Sequence, residues 1–143
     1  MARIEIEYPE GKTVFSHKLP VRIGDENYFG HLGHDSLIKL IHEARARFFT
    51  GLGHHEGDTN GFSCIVSDLA VMYRSEAHYP QVLEVEIAPG DIGSHRCELY
   101  YRVSQADTKK VVGLAKTGHV FFLGHEAKLQ RIPEVFLEGL GID

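Results

Sequence analysis

The sequence predicts an α+β domain in which one long helix lies against one antiparallel sheet of about five to six strands. Three observations carry that expectation. One stretch, Asp35 to Leu52, has apolar residues at helical spacing. Four strand-like stretches follow it, joined by connections short enough for antiparallel neighbours. Two extended stretches precede it. At 143 residues the chain has the length of a single domain, 1–143, and 43% hydrophobic with 24% charged residues is a globular composition. A chain of this size buries roughly 70% of its unfolded surface, enough for a core without disulfide staples.

The elements follow in order. Ala2 to Tyr8 alternates, with Ile4 and Ile6 between Arg3, Glu5 and Glu7, and reads as a half-buried strand. Pro9-Glu10-Gly11-Lys12 is turn chemistry. A second extended stretch runs from Val14 to Asp25, and its Pro20 suits an edge strand or a strand start. In the helix, Leu37, Leu40, Ile41, Ala44, Phe48 and Leu52 share one face, while Lys39, Glu43 and Arg47 lie on another. Asp35 is the natural N-cap, and Gly51 and Gly53 mark the end. Gly53 to Gly61 reads as a polar loop. Strands are expected over Phe62–Arg74, Val82–Ile92, Arg96–Gln105 and Val111–Leu123, with turns at Tyr79-Pro80, around Gly93-Ser94 and at Ala106-Asp107-Thr108. Consecutive pairing would make these four strands a meander. A short helix is expected from Pro133 to Leu140. One helix on one sheet leaves an edge and part of a face uncovered, which a second copy of the chain would cover.

Charge and cysteine usage narrow the function. A net charge of −5 and a pI near 6.0 argue against nucleic acid as the main partner. Cys64 and Cys97 have no CxxC pairing, so neither a disulfide framework nor a zinc knuckle is expected, which suits a reducing cytoplasm. The opening Met-Ala-Arg-Ile-Glu-Ile-Glu carries charges where a signal peptide needs an apolar core. No run is apolar enough to span a bilayer, so no membrane association is expected. The unusual count is ten histidines.

The densest chemistry lies in Asp25-Glu26-Asn27-Tyr28-Phe29-Gly30-His31-Leu32-Gly33-His34-Asp35, between the second extended stretch and the helix. A loop entering a helix can aim side chains and backbone N–H groups at a ligand. If the chain is still extended at its start, Asp25 and Asn27 face one side. Gly30 and Gly33 would let a substrate carbonyl approach the backbone, and the helix N-terminus would favour charge developing on its oxygen. A carboxylate, an amide, two imidazoles and such donors are what hydrolysis of an activated acyl group requires. The same residues also fit a polar loop with a cap and turn glycines. Asp35 suits a cap better than a catalyst, and Glu43 sits four residues before Arg47 as a surface pair.

Val21-Arg22-Ile23-x-Asp25-x-Asn27-x-x-Gly30-His31-Leu32-Gly33-His34-Asp35, followed by His42-Glu43-Ala44-Arg45, resembles the hotdog-fold acyl-CoA thioesterases of the 4-hydroxybenzoyl-CoA thioesterase-like group. Their typical segment reads Asp-x-Asp-x-x-Gly-His-Val-Asn-Asn, then a helix with Glu-x-Ala-Arg. Tyr73-Arg74-Ser75-Glu76-Ala77 is also similar to theirs, and the likeness extends over about residues 14 to 125. The resemblance implies a hotdog fold, with the sheet wrapped around one long central helix. It also implies a homodimer or homotetramer with active sites at the subunit interface, and hydrolysis of an acyl-CoA or acyl-carrier-protein thioester to free acid and thiol. Coenzyme A would enter as part of the substrate, with no separate cofactor.

The sequence departs from that pattern at one position. Asn27 stands where many members have a catalytic Asp, and an amide has no carboxylate to act as a base. It can still orient a water or bond the thioester carbonyl. Asp25, His31 and Glu43 are the candidate bases, since an imidazole ordinarily changes charge near neutral pH. Plant acyl-carrier-protein thioesterases of the same fold are similar in using an Asn and a His. Gly30, Leu32 and His34 are the candidate substrate contacts. Arg74, and less directly Lys109-Lys110, would meet the phosphates of coenzyme A.

Other patterns carry less. His31-x-x-His34 and His54-His55-Glu56-x-Asp58 lack a zinc spacing, so no metal is expected. His78, His95, His119 and His125 read as sheet or loop residues. Gly51-Leu52-Gly53-His54 lacks the Gly-Lys-Ser/Thr ending of a phosphate loop. Cys64 and Cys97 read as small buried apolar groups rather than nucleophiles. Two alternatives to the hydrolase stay open: a hotdog hydratase or dehydratase pairing a His with a carboxylate, and a non-catalytic acyl-CoA binding module, which Asn27 would suit.

Overall fold

The computed structural model describes residues 3–53, 63–123 and 128–142. Its elements are β1 (Phe15–Pro20), a 3-10 turn (Ile23–Asp25), α1 (His34–Gly51), β2 (Ser63–Tyr73), β3 (Val82–Ile92), β4 (Arg96–Gln105), β5 (Val111–Phe122) and α2 (Glu134–Gly139). The five strands form one antiparallel sheet in the order β1-β3-β4-β5-β2, with α1 against one face. The predicted loop from Gly53 to Gly61, the His54-His55-Glu56-x-Asp58 pattern and His125 fall largely or wholly outside the described residues.

Alternation along the strands sets the core. Leu83, Val85 and Ile87 of β3, Leu99, Tyr101 and Val103 of β4, and Ala115 and Phe121 of β5 point at the helix. Leu37, Leu40, Ile41, Ala44, Phe48 and Phe49 of α1 meet them. Phe136 of α2 closes one end, edge-to-face on Phe49 and Phe121 with centroids 4.9 and 5.3 Å away. Burial pushes the Cys97 thiol up to about 12, so it stays protonated.

Four expectations are corrected. Residues 3–8 form no strand: Ile6 and Tyr8 are buried with Ala88 and Leu114 on the sheet face away from α1. The strands beneath are already hydrogen-bonded on both sides, so the segment contributes side chains and no ladder. Its alternation reports half-burial alone. The Tyr8 ring carries the Arg102 guanidinium 4.4 Å from its centroid, and Arg102 also pairs with Glu86 and Glu10.

The second extended stretch ends early. β1 stops at Pro20, which is on an edge strand as expected, and the chain then turns through Ile23–Asp25. Asp25 Oδ2 accepts from Arg22 N at 2.8 Å, a local bond that competes with extension. Helix α1 begins one residue before the expected start, with Gly33 rather than Asp35 as N-cap. Asp35 lies in the first turn, where its charge suits the helix dipole, and its Oδ1 accepts from Ser36 N at 2.9 Å. A Cβ at position 33 would lie 2.6 Å from that oxygen, so a larger residue there would turn the Asp35 carboxylate away from Ser36 N.

The four late strands are not a simple meander. β3, β4 and β5 pair in sequence, but β2 pairs with β5 at the far edge. Residues 74–81 therefore cross the end of the sheet instead of forming a hairpin. Three strand spacings are about 14 Å. An extended chain covers ~3.3 Å per residue, so this short link suffices. Arg74 N and Ser75 N donate to Val112 O at 2.9 and 3.2 Å, Ser75 Oγ donates to Val111 O at 2.7 Å, and Leu32 N donates to Ala77 O at 2.8 Å. The crossover is thereby stitched to β5 on one side and to the loop entering α1 on the other.

Candidate active site

The loop entering α1 is a tight reversal built by its own backbone. Asn27 N donates to His31 O at 2.8 Å, and Gly30 N donates to Asn27 O at 3.1 Å. The Asn27 side-chain oxygen accepts from Phe29 N at 3.0 Å and His31 N at 3.4 Å. Gly30 has φ +79°, a left-handed conformation that glycine adopts without strain. Asn27 thus organises the loop through its oxygen and keeps its amide NH2 as a donor.

A cavity of about 440 Å³ lies between this loop, the start of α1 and the crossover. Asn27, His31, Leu32 and His34 from the loop and helix line it, as do Tyr73, Arg74, Ser75 and Glu76 from the end of β2 and the crossover. Leu37, Ala77 and Val112 add apolar wall. The volume is within the usual range for a small-molecule site. The N-terminal end of α1 opens on it with a partial positive charge of roughly half an elementary unit.

Five of the eight candidates from the sequence therefore meet at one cavity: Asn27, His31, Leu32, His34 and Arg74. Gly30 is not in the lining, and its carbonyl is 3.0 Å from His78 Nδ1. Asp25 and Glu43 are not in the lining. Asp25 is held by Arg22 N, and Glu43 pairs with Arg47 at 3.0 Å on an exposed helix face. Lys109 is also elsewhere, 3.3 Å from Glu84 on the sheet's other face.

The structure adds Tyr73, Ser75, Glu76 and His78. Tyr73 OH donates to His34 O at 3.0 Å. Burial and the nearby Asp35 carboxylate push its phenol up, which keeps it a donor. Glu76 Oε1 lies 3.8 Å from His31 Nε2, and its Oε2 lies 3.6 Å from His78 Nε2. His78, expected as a sheet or loop residue, lies in the crossover loop and adjoins His31, ring centroids 6.3 Å apart. The sequence signal for Tyr73, Ser75 and Glu76 is the Tyr73-Arg74-Ser75-Glu76-Ala77 stretch, of which Arg74 alone is a sequence candidate; His78 follows it directly. Among the described residues no group of three or more His, Cys, Asp or Glu is placed to hold a metal ion, and no helix is long and apolar enough to cross a membrane.

Solved structures share this architecture. Slr0204, a 1,4-dihydroxy-2-naphthoyl-CoA thioesterase from Synechocystis, superposes with a TM-score of 0.81 over 89% of this chain and 95% of its own, at 19% identity. The PA2801 protein of Pseudomonas aeruginosa gives 0.84 over 90% and 99%, at 21% identity. A DHNA-CoA thioesterase from Staphylococcus aureus gives 0.74 over 86% and 83%, at 18% identity. At these identities the likeness establishes the hotdog fold. No curated protein matches the sequence. The sequence profile of the thioesterase-like superfamily matches residues 21–140, from the end of β1 through α2. That span takes in the loop, the helix, the crossover and the whole cavity, and on it the chain belongs to the thioesterase-like superfamily.

Proposed function

We propose that the protein hydrolyses an acyl thioester, of coenzyme A or of an acyl carrier protein, to free acid and thiol. The observation that carries this reading is that the His31 imidazole and the N-terminal end of α1 face one cavity. The thioester carbonyl directs its oxygen toward the helix end and the Asn27 amide, where charge on the tetrahedral intermediate is stabilised by a few kcal/mol. His31 takes the proton of the attacking water. Collapse of the intermediate breaks the C–S bond, and the departing thiolate recovers a proton from the imidazolium. Arg74 at the cavity wall is the cation for a phosphate of coenzyme A. Naphthoyl-CoA thioesterases among the structural relatives support an acyl-CoA substrate. The thiols Cys64 and Cys97 and a thiol product fit a reducing compartment, and we place the reaction in the cytoplasm.

The working unit in this reading is a homodimer or a dimer of dimers, with β2 at its subunit interface. β2 is an edge strand of 11 residues, and Ile65, Val66, Leu69 and Tyr73 on it are 40–51% exposed. A long apolar edge is what a second copy covers. β1, the other edge, is short and carries Lys18 and Pro20.

A thiol-release assay with a panel of acyl-CoAs tests the activity. Release of thiol is expected, and His31→Ala lowers kcat at least tenfold while the circular dichroism spectrum is unchanged. Wild-type turnover in that variant would remove His31 as the base. A change in enoyl absorbance without thiol would identify a hydratase instead, and binding without either change would identify a binding module.

A further inference from the structure

Among the described residues a single carboxylate lines the cavity, Glu76, and it comes from the crossover rather than from the loop or the helix. The nearby carboxylates are occupied locally: Asp25 by Arg22 N, Asp35 by Ser36 N and Glu43 by Arg47. Glu76 instead presents its two oxygens to two imidazoles, at 3.8 Å from His31 Nε2 and 3.6 Å from His78 Nε2.

The far side of each ring decides which nitrogen does the chemistry. His31 Nδ1 is 3.3 Å from Leu32 O, and His78 Nδ1 is 3.0 Å from Gly30 O. A carbonyl oxygen only accepts, so these contacts assign the N–H of each neutral ring to Nδ1. The lone pair of each ring is then on Nε2, turned toward a carboxylate that also only accepts. Two acceptors facing each other repel, and a proton arriving at Nε2 turns that repulsion into attraction.

We propose that Glu76 is the positioning residue of this site: it stabilises the His31 imidazolium formed when Nε2 takes the proton of the attacking water. The inference rests on the hydrolytic reading. In that step the water O–H bond breaks, an Nε2–H bond forms, and the water oxygen bonds to the thioester carbon. When the C–S bond then breaks, its electron pair leaves on sulfur, and the Nε2 proton passes to the thiolate. Glu76 gains no proton; it faces the proton-carrying Nε2 from 3.8 Å and touches neither the water nor the thioester. His78 adjoins the same carboxylate at 3.6 Å, and its Nδ1–H donates to Gly30 O, which anchors the crossover to the loop. Glu76 is 64% exposed, so water screens its charge and the effect is about tenfold, not thousands-fold.

The test is a double-mutant cycle on thiol release with coupled histidine NMR. Glu76→Gln is expected to lower kcat about tenfold with KM unchanged within twofold, and Glu76→Asp to recover part of the loss. In the His31→Ala background Glu76→Gln should add nothing, because Glu76 acts through His31. An unchanged kcat, or losses that multiply in the double variant, would overturn the proposal. The Hε1 resonances of both His31 and His78 are expected to move in Glu76→Gln, and if both stay in place the proposal fails whatever the activity. A wild type that releases no thiol from any substrate refutes the hydrolytic reading and the proton step with it. The resonances then decide separately whether Glu76 joins the two rings.

Discussion

Two histidines on this domain show how burial divides one residue type into two chemistries. His31 faces a cavity, whereas His119 is 1% exposed between α1 and the sheet. His119 Nε2 is 2.7 Å from Thr117 Oγ1, Thr117 Oγ1 is 2.7 Å from Tyr101 OH, and Arg45 donates to Tyr101 OH at 3.4 Å. Cys64 Sγ adjoins His119 Nδ1 at 3.5 Å. Burial, reinforced by the Arg45 charge, drives His119 from its ordinary 6.5 down to about 3. Between those values the unfolded chain holds a proton on this ring that the folded chain does not. Stability therefore falls as pH drops below about 6.5, by about 1.4 kcal/mol per unit. Asp68 and Glu86, held below the usual carboxylate range by Lys116 and Arg102, add their losses only at lower pH. Urea titrations at pH 7.5 and 5.5 should differ by roughly 1.4 kcal/mol, and His119→Gln should remove most of the difference. An equal pH dependence in the variant would show that another group is responsible. The place of His31 in the cavity was legible because a Gly-His pair at a helix entry sits where a ligand can approach. His119 was not, because a strand histidine looks the same whether it meets water or a core.

At the level of elements, legibility followed periodicity. Helix α1 and strands β3 and β4 are where their patterns put them, because each carries a full face of apolar residues. The order of the sheet was hidden. Nothing in Arg74 to Gln81 distinguishes a wide turn from a crossing, and the choice is made by which edge β2 fits. The segment 3–8 failed for the converse reason, a strand-like pattern laid over strands with no bonds to spare. Packing of α1 on the sheet is close where the cavity begins. A Cβ at Gly113 would stand 2.9 Å from Leu37 Cδ2 and 3.4 Å from Met72 O, and Leu37 is 1% exposed. Gly113→Ala should cost about 1–3 kcal/mol, read from urea or thermal unfolding. A neutral result would mean that α1 slides on the sheet more easily than a packed core permits.

Among the described residues the sheet has one guarded edge, β1, and one open one, β2. In the dimer proposed above, sedimentation should give a mass about twice 16.0 kDa. Leu69→Lys on β2 puts a charge at the covered edge and should shift the equilibrium toward monomer, with loss of activity. A wild type that is monomeric and fully active would remove the dimer from the mechanism. The crossover has a further consequence, and it concerns time. β2 is made before β3 and β4, but among the described residues its ladder partner is β5, the last strand to be synthesised. Until Val111–Phe122 has emerged, that ladder cannot form, and Arg74 and Ser75 have no Val112 carbonyl to hold them. Such long-range pairing closes slowly. The wall that carries Glu76 is thus among the last parts of the domain to form, and an incomplete chain cannot present a finished site.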